Sequence, residues 1–219
     1  NDIPIEIHDP DKIINLVYID DLVSKICEII KGVAGNNKFI DVDKKYPISI
    51  KNLANVLNSF KESRNSLNIE NFGDGLIKAL YSTYITYLPK KAFSYSINEN
   101  KDVRGKFVEI LKTNKSGQIS YFSINPGQIR GGHYHHSKTE KFLVIQGKVT
   151  FRFKSITSDD FFEINSCDQQ SKIIDTIPGW AHDVINKSNS EAKILVWANE
   201  LFDEKKPDTI IRELNIQKQ

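Results

Sequence analysis

Between Gly127 and Gly147 the chain runs GQIRGGHYHHSKTEKFLVIQG, with His133 and His135 two positions apart and Glu140 shortly after them. Successive side chains of a strand point to opposite faces, so residues i and i+2 share a face; a helix would hold them roughly 200° apart. The two imidazoles can therefore chelate together only if this segment is extended. Glu140 to Phe153 agrees, being rich in the Phe, Val, Ile and Thr that suit a pleated surface. His136, Ser137, Lys138 and Thr139 form a turn from which Glu140 returns on the next strand, and His182 follows a Pro178-Gly179 turn at the start of another apolar strand. Three neutral imidazoles and a carboxylate are a donor set for a divalent transition metal. A lone His-x-His pair is often plain surface, and His136 extends the cluster to HYHH, but four donors bracketed by turn glycines favour a site.

The hydrophobic period changes along the chain. Leu22, Val23, Ile26, Ile29 and Ile30 form one helical stripe, with Asp20 placed to cap and Gly35 to stop. Ile50, Leu53, Ala54, Leu57 and Phe60 repeat it, and FGDGLIKALYSTYITYL predicts a third helix ending at Pro89. From about Ala92 the period is two, and FVEILKT, ISYFSI, KFLVIQG, VTFRFKS, KIIDTI and KILVWAN are expected strands. The switch sets a boundary near residues 88 to 92 and two domains, 1–90 and 91–219.

With 219 residues, 39% of them hydrophobic, the chain can bury cores in both. A net charge of +2 with interleaved signs favours neither nucleic acid nor membrane as a partner. No stretch has the apolar length of a membrane span, and the first residues lack the regions of a signal peptide. Cys27 and Cys167 lie in different parts of the chain, as suits reduced thiols in the cytoplasm; the first is expected in a helix core, the second in a loop. Trp180 and Trp197 are expected to fill the core. Opening on Asn and holding no methionine, the chain is expected to be part of a longer product.

The histidine run resembles the first motif of the cupin superfamily: Gly127, five residues, His-x-His, four residues, Glu140, six residues, Gly147. Gly179, His182 and Asn186 resemble the second motif, with Pro178 directly before Gly179 where the family usually has one residue between. The resemblance implies a mostly β fold, a cupin jelly-roll barrel, with His133, His135, Glu140 and His182 as ligands of a divalent transition metal, zinc first. NLVYIDDLVSKICEII is similar to a segment of extended short-chain dehydrogenases, which implies that 1–90 is a small helical remnant of a substrate lobe. The Gly-rich turn of a dinucleotide site is missing. Tyr87 to Lys91 and Tyr134 to Lys138 match the reductases' Tyr-x-x-x-Lys only as strings, since Pro89 breaks the first and the second lies in the strand motif. No cofactor-binding residue is assigned, and NADP is expected only in a full-length parent.

In this order the two parts resemble the bifunctional capsular polysaccharide enzymes of UDP-N-acetyl-L-fucosamine synthesis, as LYSTYITYLPKKAFSY and RGGHYHHSKTEKFLVIQGK also do. That resemblance implies metal-dependent C3 epimerisation of a UDP-4-keto-6-deoxy-N-acetylhexosamine; a homodimer is the expectation from cupins generally. NKDVRGKFVEILKT resembles the D-x-R-G-x-F-x-E run of the dTDP-4-dehydrorhamnose 3,5-epimerases, which implies that Arg104, Phe107 and Glu109 meet the nucleotide sugar. A guanidinium fork suits diphosphate oxygens. Epimerisation needs a base and an acid on opposite faces; His136, Lys138 and Asp183 are the candidates, His136 first as base, while alternation turns Tyr134 and Lys141 away. Two rival readings stay open: a non-catalytic metal cupin that binds a sugar or small acid, and a cupin dioxygenase or isomerase.

Overall fold

The structure, a computed structural model, describes residues 6–32, 40–69, 72–203 and 205–214. Its contacts divide the chain into two compact units, Asn1–Asn65 with Asn71–Ser94, and Ser66–Glu70 with Tyr95–Gln219.

In the first unit, β1 (Ile13–Leu16) pairs antiparallel with β2 (Tyr46–Ser49), and three helices follow the expected periodicity: α1 (Ile19–Ile30), α2 (Ile50–Ser66) and α3 (Gly75–Thr86). Phe60 of α2 is 1% exposed. Its ring meets those of Phe72, Tyr81 and Tyr84 at centroid distances of 5.4, 5.1 and 5.6 Å, contacts that add about 0.5–1.5 kcal/mol per pair to the area they bury. Helix α1 departs from expectation in three ways. Tyr18, extended, holds the cap position with no side-chain bond, and Asp20 lies in the first turn, where the helix dipole favours a carboxylate. Gly35 lies outside the described residues, and the helix ends at Ile30, before Gly32 at φ 72°. The stripe forms but is uncovered among the described residues: Leu22, Val23, Ile26, Ile29 and Ile30 are all exposed, and so is Cys27, which is therefore no core residue. None of the described helices is long and apolar enough to cross a membrane.

The second unit is a cupin jelly roll. Its strands are β3 (Asn100–Asp102), β4 (Gly105–Thr113), β5 (Gly117–Ile124), β6 (Ile129–Tyr134), β7 (Glu140–Gln146), β8 (Lys148–Ser155), β9 (Phe161–Cys167), β10 (Ile173–Asp175), β11 (Trp180–Ile185), β12 (Ala192–Ala198) and β13 (Ile210–Ile211). One sheet has the order β10-β7-β12-β5-β4-β3 and the other β13-β6-β11-β8-β9. Inward residues of both sheets make one core, with Phe122, Ile124, Phe142 and Ile194 from the first and Phe151, Phe153 and Val184 from the second. Strand β9 was not among the expected strands, because Glu163 and Asn165 on its other face dilute a short apolar run; Cys167 ends this strand and is not a loop residue. Trp180 packs against the core, whereas Trp197 faces away from it and donates from Nε1 to the Ser116 carbonyl at 2.8 Å.

Two features of this frame position the site. Strands β6 and β7 belong to different sheets, so residues 135–139 cross from one sheet to the other and carry Glu140 to the wall facing the histidines. Strand β11 pairs with β6 so that His182 opposes His133 while Asp183 opposes Gly131, leaving Gly132 as an extra, bulged residue. Gly131 has φ 96°, and a Cβ there would lie 2.8 Å from both the Asp183 Cα and the His182 carbonyl oxygen. Gly131→Ala is thus expected to force the strands apart beside the histidines and to cost roughly 2–3 kcal/mol. Urea unfolding measures this, and an unchanged midpoint would show that the strands have room to part.

Candidate metal centre

His133 and His182 face each other across the β6–β11 register, His135 lies one residue past the end of β6, and Glu140 opens β7. Their ligand atoms all lie within 4.8 Å of one another. The His133 ring is 4.7 Å from that of His182 and 5.0 Å from that of His135, centroid to centroid. Glu140 Oε2 is 3.3 Å from His135 Nε2 and 3.4 Å from His182 Nε2. His135 and His182 are buried, 1% and 4% exposed.

The outer ring nitrogens set the tautomers. His135 Nδ1–H donates to the Asp208 carbonyl, and His182 Nδ1–H to the Trp180 carbonyl at 3.3 Å. Both Nε2 atoms then turn electron pairs toward the Glu140 carboxylate. The His182 Nε2 is buried and has no hydrogen-bond partner, a costly state for a polar atom. Converging electron-pair donors around an orphaned nitrogen are the surroundings a divalent cation completes, so these four residues can hold a metal ion.

Protonation follows the same geometry. Burial, reinforced by the nearby His182 ring, pushes the His133 imidazole down to about 3. Burial alone would raise the Glu140 carboxyl, but hydrogen bonds from His135 and His182, made where a ring carries a second proton on Nε2, and the Lys138 ammonium outweigh it and hold it below the usual range. In the metal-free protein an unfolded histidine takes up a proton below about 6.5 and folded His133 does not until about 3. Stability from this group is therefore present above pH 6.5 and lost as pH falls toward 3. Melting the chelator-treated protein across that range is expected to show a falling Tm, and a rising one would contradict a neutral, half-buried His133.

Two adjoining cavities open on the centre, sharing Phe107, His133, Glu140 and Val196 as walls. The first, about 240 Å³, is lined also by Arg104 and Arg130; the second, about 320 Å³, by Glu109, Gln118, Ser120 and Lys138. Arg104, Phe107 and Glu109 are thus all brought to the site. The Arg104 guanidinium holds the Asp102 carboxyl down at about 2, with contacts of 2.5 and 3.0 Å. Lys138 reaches it as well, its Nζ 3.1 Å from Glu140 Oε1.

Two sequence candidates for proton transfer are not brought there. His136 is exposed, its ring edge-on to Tyr134 at 5.5 Å. Asp183 follows His182 on β11 and so points to the opposite face, where Arg152 grips both its oxygens at 2.7 and 2.6 Å. Sequence reading also missed two residues. Arg130 is an odd number of positions from His133 and should face away by alternation, but the bulge at Gly132 shifts the phase and turns both into the cavity. Asp208 accepts from the backbone N–H groups of His136, Ser137 and Lys138 at 2.8, 2.7 and 2.8 Å, and from the Ser137 hydroxyl at 2.9 Å. These bonds, His136 first, hold its carboxyl far below the usual range.

The fold and this centre define a cupin whose barrel can hold a metal ion. The polysaccharide biosynthesis C-terminal domain family matches residues 100–210, and the chain belongs to that family. A Pseudomonas aeruginosa protein described as a UDP-2-acetamido-2,6-beta-L-arabino-hexul-4-ose reductase is 47% identical over 208 residues, which are 95% of this chain and 56% of that protein. The capsular polysaccharide assembling protein CapF from Staphylococcus aureus is 33% identical and superimposes with a TM-score of 0.89 over 96% of this chain and 57% of its own. CapF crystallised with the inhibitor 3-isopropenyl-tropolone gives 0.91 at the same identity, over 96% of this chain and 61% of its own. The chain therefore spans little more than half the length of these relatives.

Proposed function

We propose that this chain carries out the C3 epimerisation of a UDP-4-keto-6-deoxy-N-acetylhexosamine in the synthesis of a capsular or O-antigen polysaccharide precursor. The observation that carries this reading is the juxtaposition of a His/His/Glu/His centre with a cavity walled by Arg104 and Arg130. Membership of a polysaccharide biosynthesis family, and the similarity to a nucleotide-sugar reductase and to a capsular polysaccharide assembling protein, support it. A divalent metal, zinc first, held by His133, His135, Glu140 and His182 would polarise the C4 carbonyl and stabilise the charge that grows on its oxygen as C3 loses a proton. The two guanidiniums bind the diphosphate, Phe107 packs on the sugar or base, and Glu109 accepts from a sugar hydroxyl. Among the three sequence candidates Lys138 alone reaches the cavity, so it takes the proton-transfer role there.

The unit before the barrel is assigned as the substrate-lobe remnant of a short-chain reductase, which leaves NADP chemistry to a longer parent. A cytoplasmic homodimer accompanies this assignment. Elemental analysis joined to solvent deuterium uptake at C3 tests the reading. The expected result is about one zinc per chain, deuterium at C3 and no NADPH oxidation. Metal without deuterium uptake would leave a binding cupin, and NADPH oxidation by this chain would overturn the domain assignment.

A further inference from the structure

The second cavity contains a polar group that the protein leaves unsatisfied. Ser120 lies in the middle of β5, in register with Glu109 on β4 and Val196 on β12. Alternation turns it inward with Gln118 and Phe122, and it lines the cavity beside the metal centre. It is 1% exposed, and its Oγ has no hydrogen-bond partner. Buried hydroxyls are almost always paired, and an unpaired one calls for an explanation such as a ligand.

The surroundings restrict what that ligand can be. Gln118, one pleat along the same face, brings a carboxamide whose Oε1 accepts from the Phe202 N–H at 3.4 Å. Val196, Ala198 and Phe202 make one side of the cavity apolar, and Thr209 adds a second hydroxyl to its wall. The charges nearby are already engaged, Glu109 with Lys112 at 2.6 Å and Lys138 with Glu140 at 3.1 Å. Those two pairs balance in charge, whereas Arg104 and Arg130 share the single carboxylate of Asp102, so an anionic group belongs with the arginines of the first cavity. A hydroxyl and a carboxamide beside an apolar wall suit a small neutral group with a donor, an acceptor and a methyl.

We infer that the second cavity is the subsite for the acetamido substituent of a 2-acetamido nucleotide sugar, with the Ser120 hydroxyl bonded to its amide. The inference rests on the nucleotide-sugar reading above and extends it to the C2 substituent. A sugar laid over the shared wall of His133 and Glu140 reaches both cavities, its C1 diphosphate toward the arginines and its C2 group toward Ser120.

The test compares binding of UDP-N-acetylglucosamine and UDP-glucose to the zinc-loaded chain by calorimetry. The wild type is expected to prefer the acetamido sugar by about tenfold or more, as sites that hydrogen-bond a substrate group reject analogues lacking it. Ser120→Ala is expected to reduce that preference to about threefold or less, with an unchanged or higher Tm, since it deletes an unsatisfied buried hydroxyl. Ser120→Cys, a weaker donor of similar size, should fall between and serves if the alanine variant misfolds. Arg104→Ala should weaken both ligands alike. Equal binding of the two sugars by the wild type, or a full preference retained in Ser120→Ala, would overturn the inference. An intact preference without C3 exchange would support the subsite and sink only the epimerase reading.

Discussion

On the proposed function, Glu140→Ala is expected to weaken metal binding at the centre sharply and to cut C3 exchange to a small residue while leaving the barrel folded. The carboxylate is the one anion among the four donors. It is also the partner of the buried Lys138 ammonium at 3.1 Å. Its loss removes a ligand and leaves a cation facing three imidazoles, so zinc affinity should fall by about a hundredfold or more, beyond the 10–100-fold typical of residues that only support a ligand. Exchange should fall by about a thousandfold, the scale of losing the group that stabilises a developing oxyanion. Stability should drop by roughly 3 kcal/mol, because an unpaired charge remains in the interior.

A second substitution separates these effects. Lys138→Met added to Glu140→Ala removes the stranded charge and should recover most of the stability without recovering zinc. Zinc retained after dialysis against a chelator is the first readout, and urea unfolding of both variants the second. Wild-type zinc content in Glu140→Ala would show that the three histidines suffice and that the carboxylate has another task.

The four donors were legible in the sequence because their geometry is local. An i, i+2 pair on a strand shares a face whatever the sheet does, and the glycine spacings around it placed Glu140 and His182 through the cupin resemblance. Arg104, Phe107 and Glu109 were named through the resemblance of the D-x-R-G-x-F-x-E run, and alternation along β4 agrees with it for Phe107 and Glu109, which line one wall. What alternation could not supply is a change of phase. The bulge at Gly132 brings Arg130 inward, and the sequence marks it only as a second glycine. Asp183 illustrates the converse: adjacency to His182 suggested a role, but adjacent strand residues face opposite ways, and Arg152 holds it on the far side. The stripe on α1 follows helical periodicity, yet periodicity tells which face is apolar and not what covers it. Asp208, distant in sequence from the segment it holds and in no motif, had no local signal.

Asp208→Ala is the second large effect expected, and it acts on residues that Asp208 does not follow in sequence. Strand β13 pairs with β6, setting Ile210 against Tyr134 and Ile211 against His133, and so places Asp208 at the crossing segment. Its carboxylate gathers three consecutive N–H groups and a hydroxyl, fixing the path between His135 and Glu140. Its carbonyl receives the His135 Nδ1–H, which leaves Nε2 directed at the centre. Alanine keeps that carbonyl but frees the segment, so the donors lose preorganisation and zinc affinity should fall about 10–100-fold. Stability should fall by about 2 kcal/mol, from the loss of hydrogen bonds to a charged group that is partly solvated. Asp208→Asn should do nearly as badly, because an amide offers one acceptor oxygen and sets two donors against backbone N–H groups. Ile211→Ala, on the same strand but 83% exposed, should change neither quantity. Competition with a zinc-binding dye measures the affinity. If Asp208→Ala bound zinc as tightly as the wild type while losing stability, the C-terminal segment would be only a strap on the barrel; a loss of affinity confined to the Asp208 variants would make it part of what holds the metal.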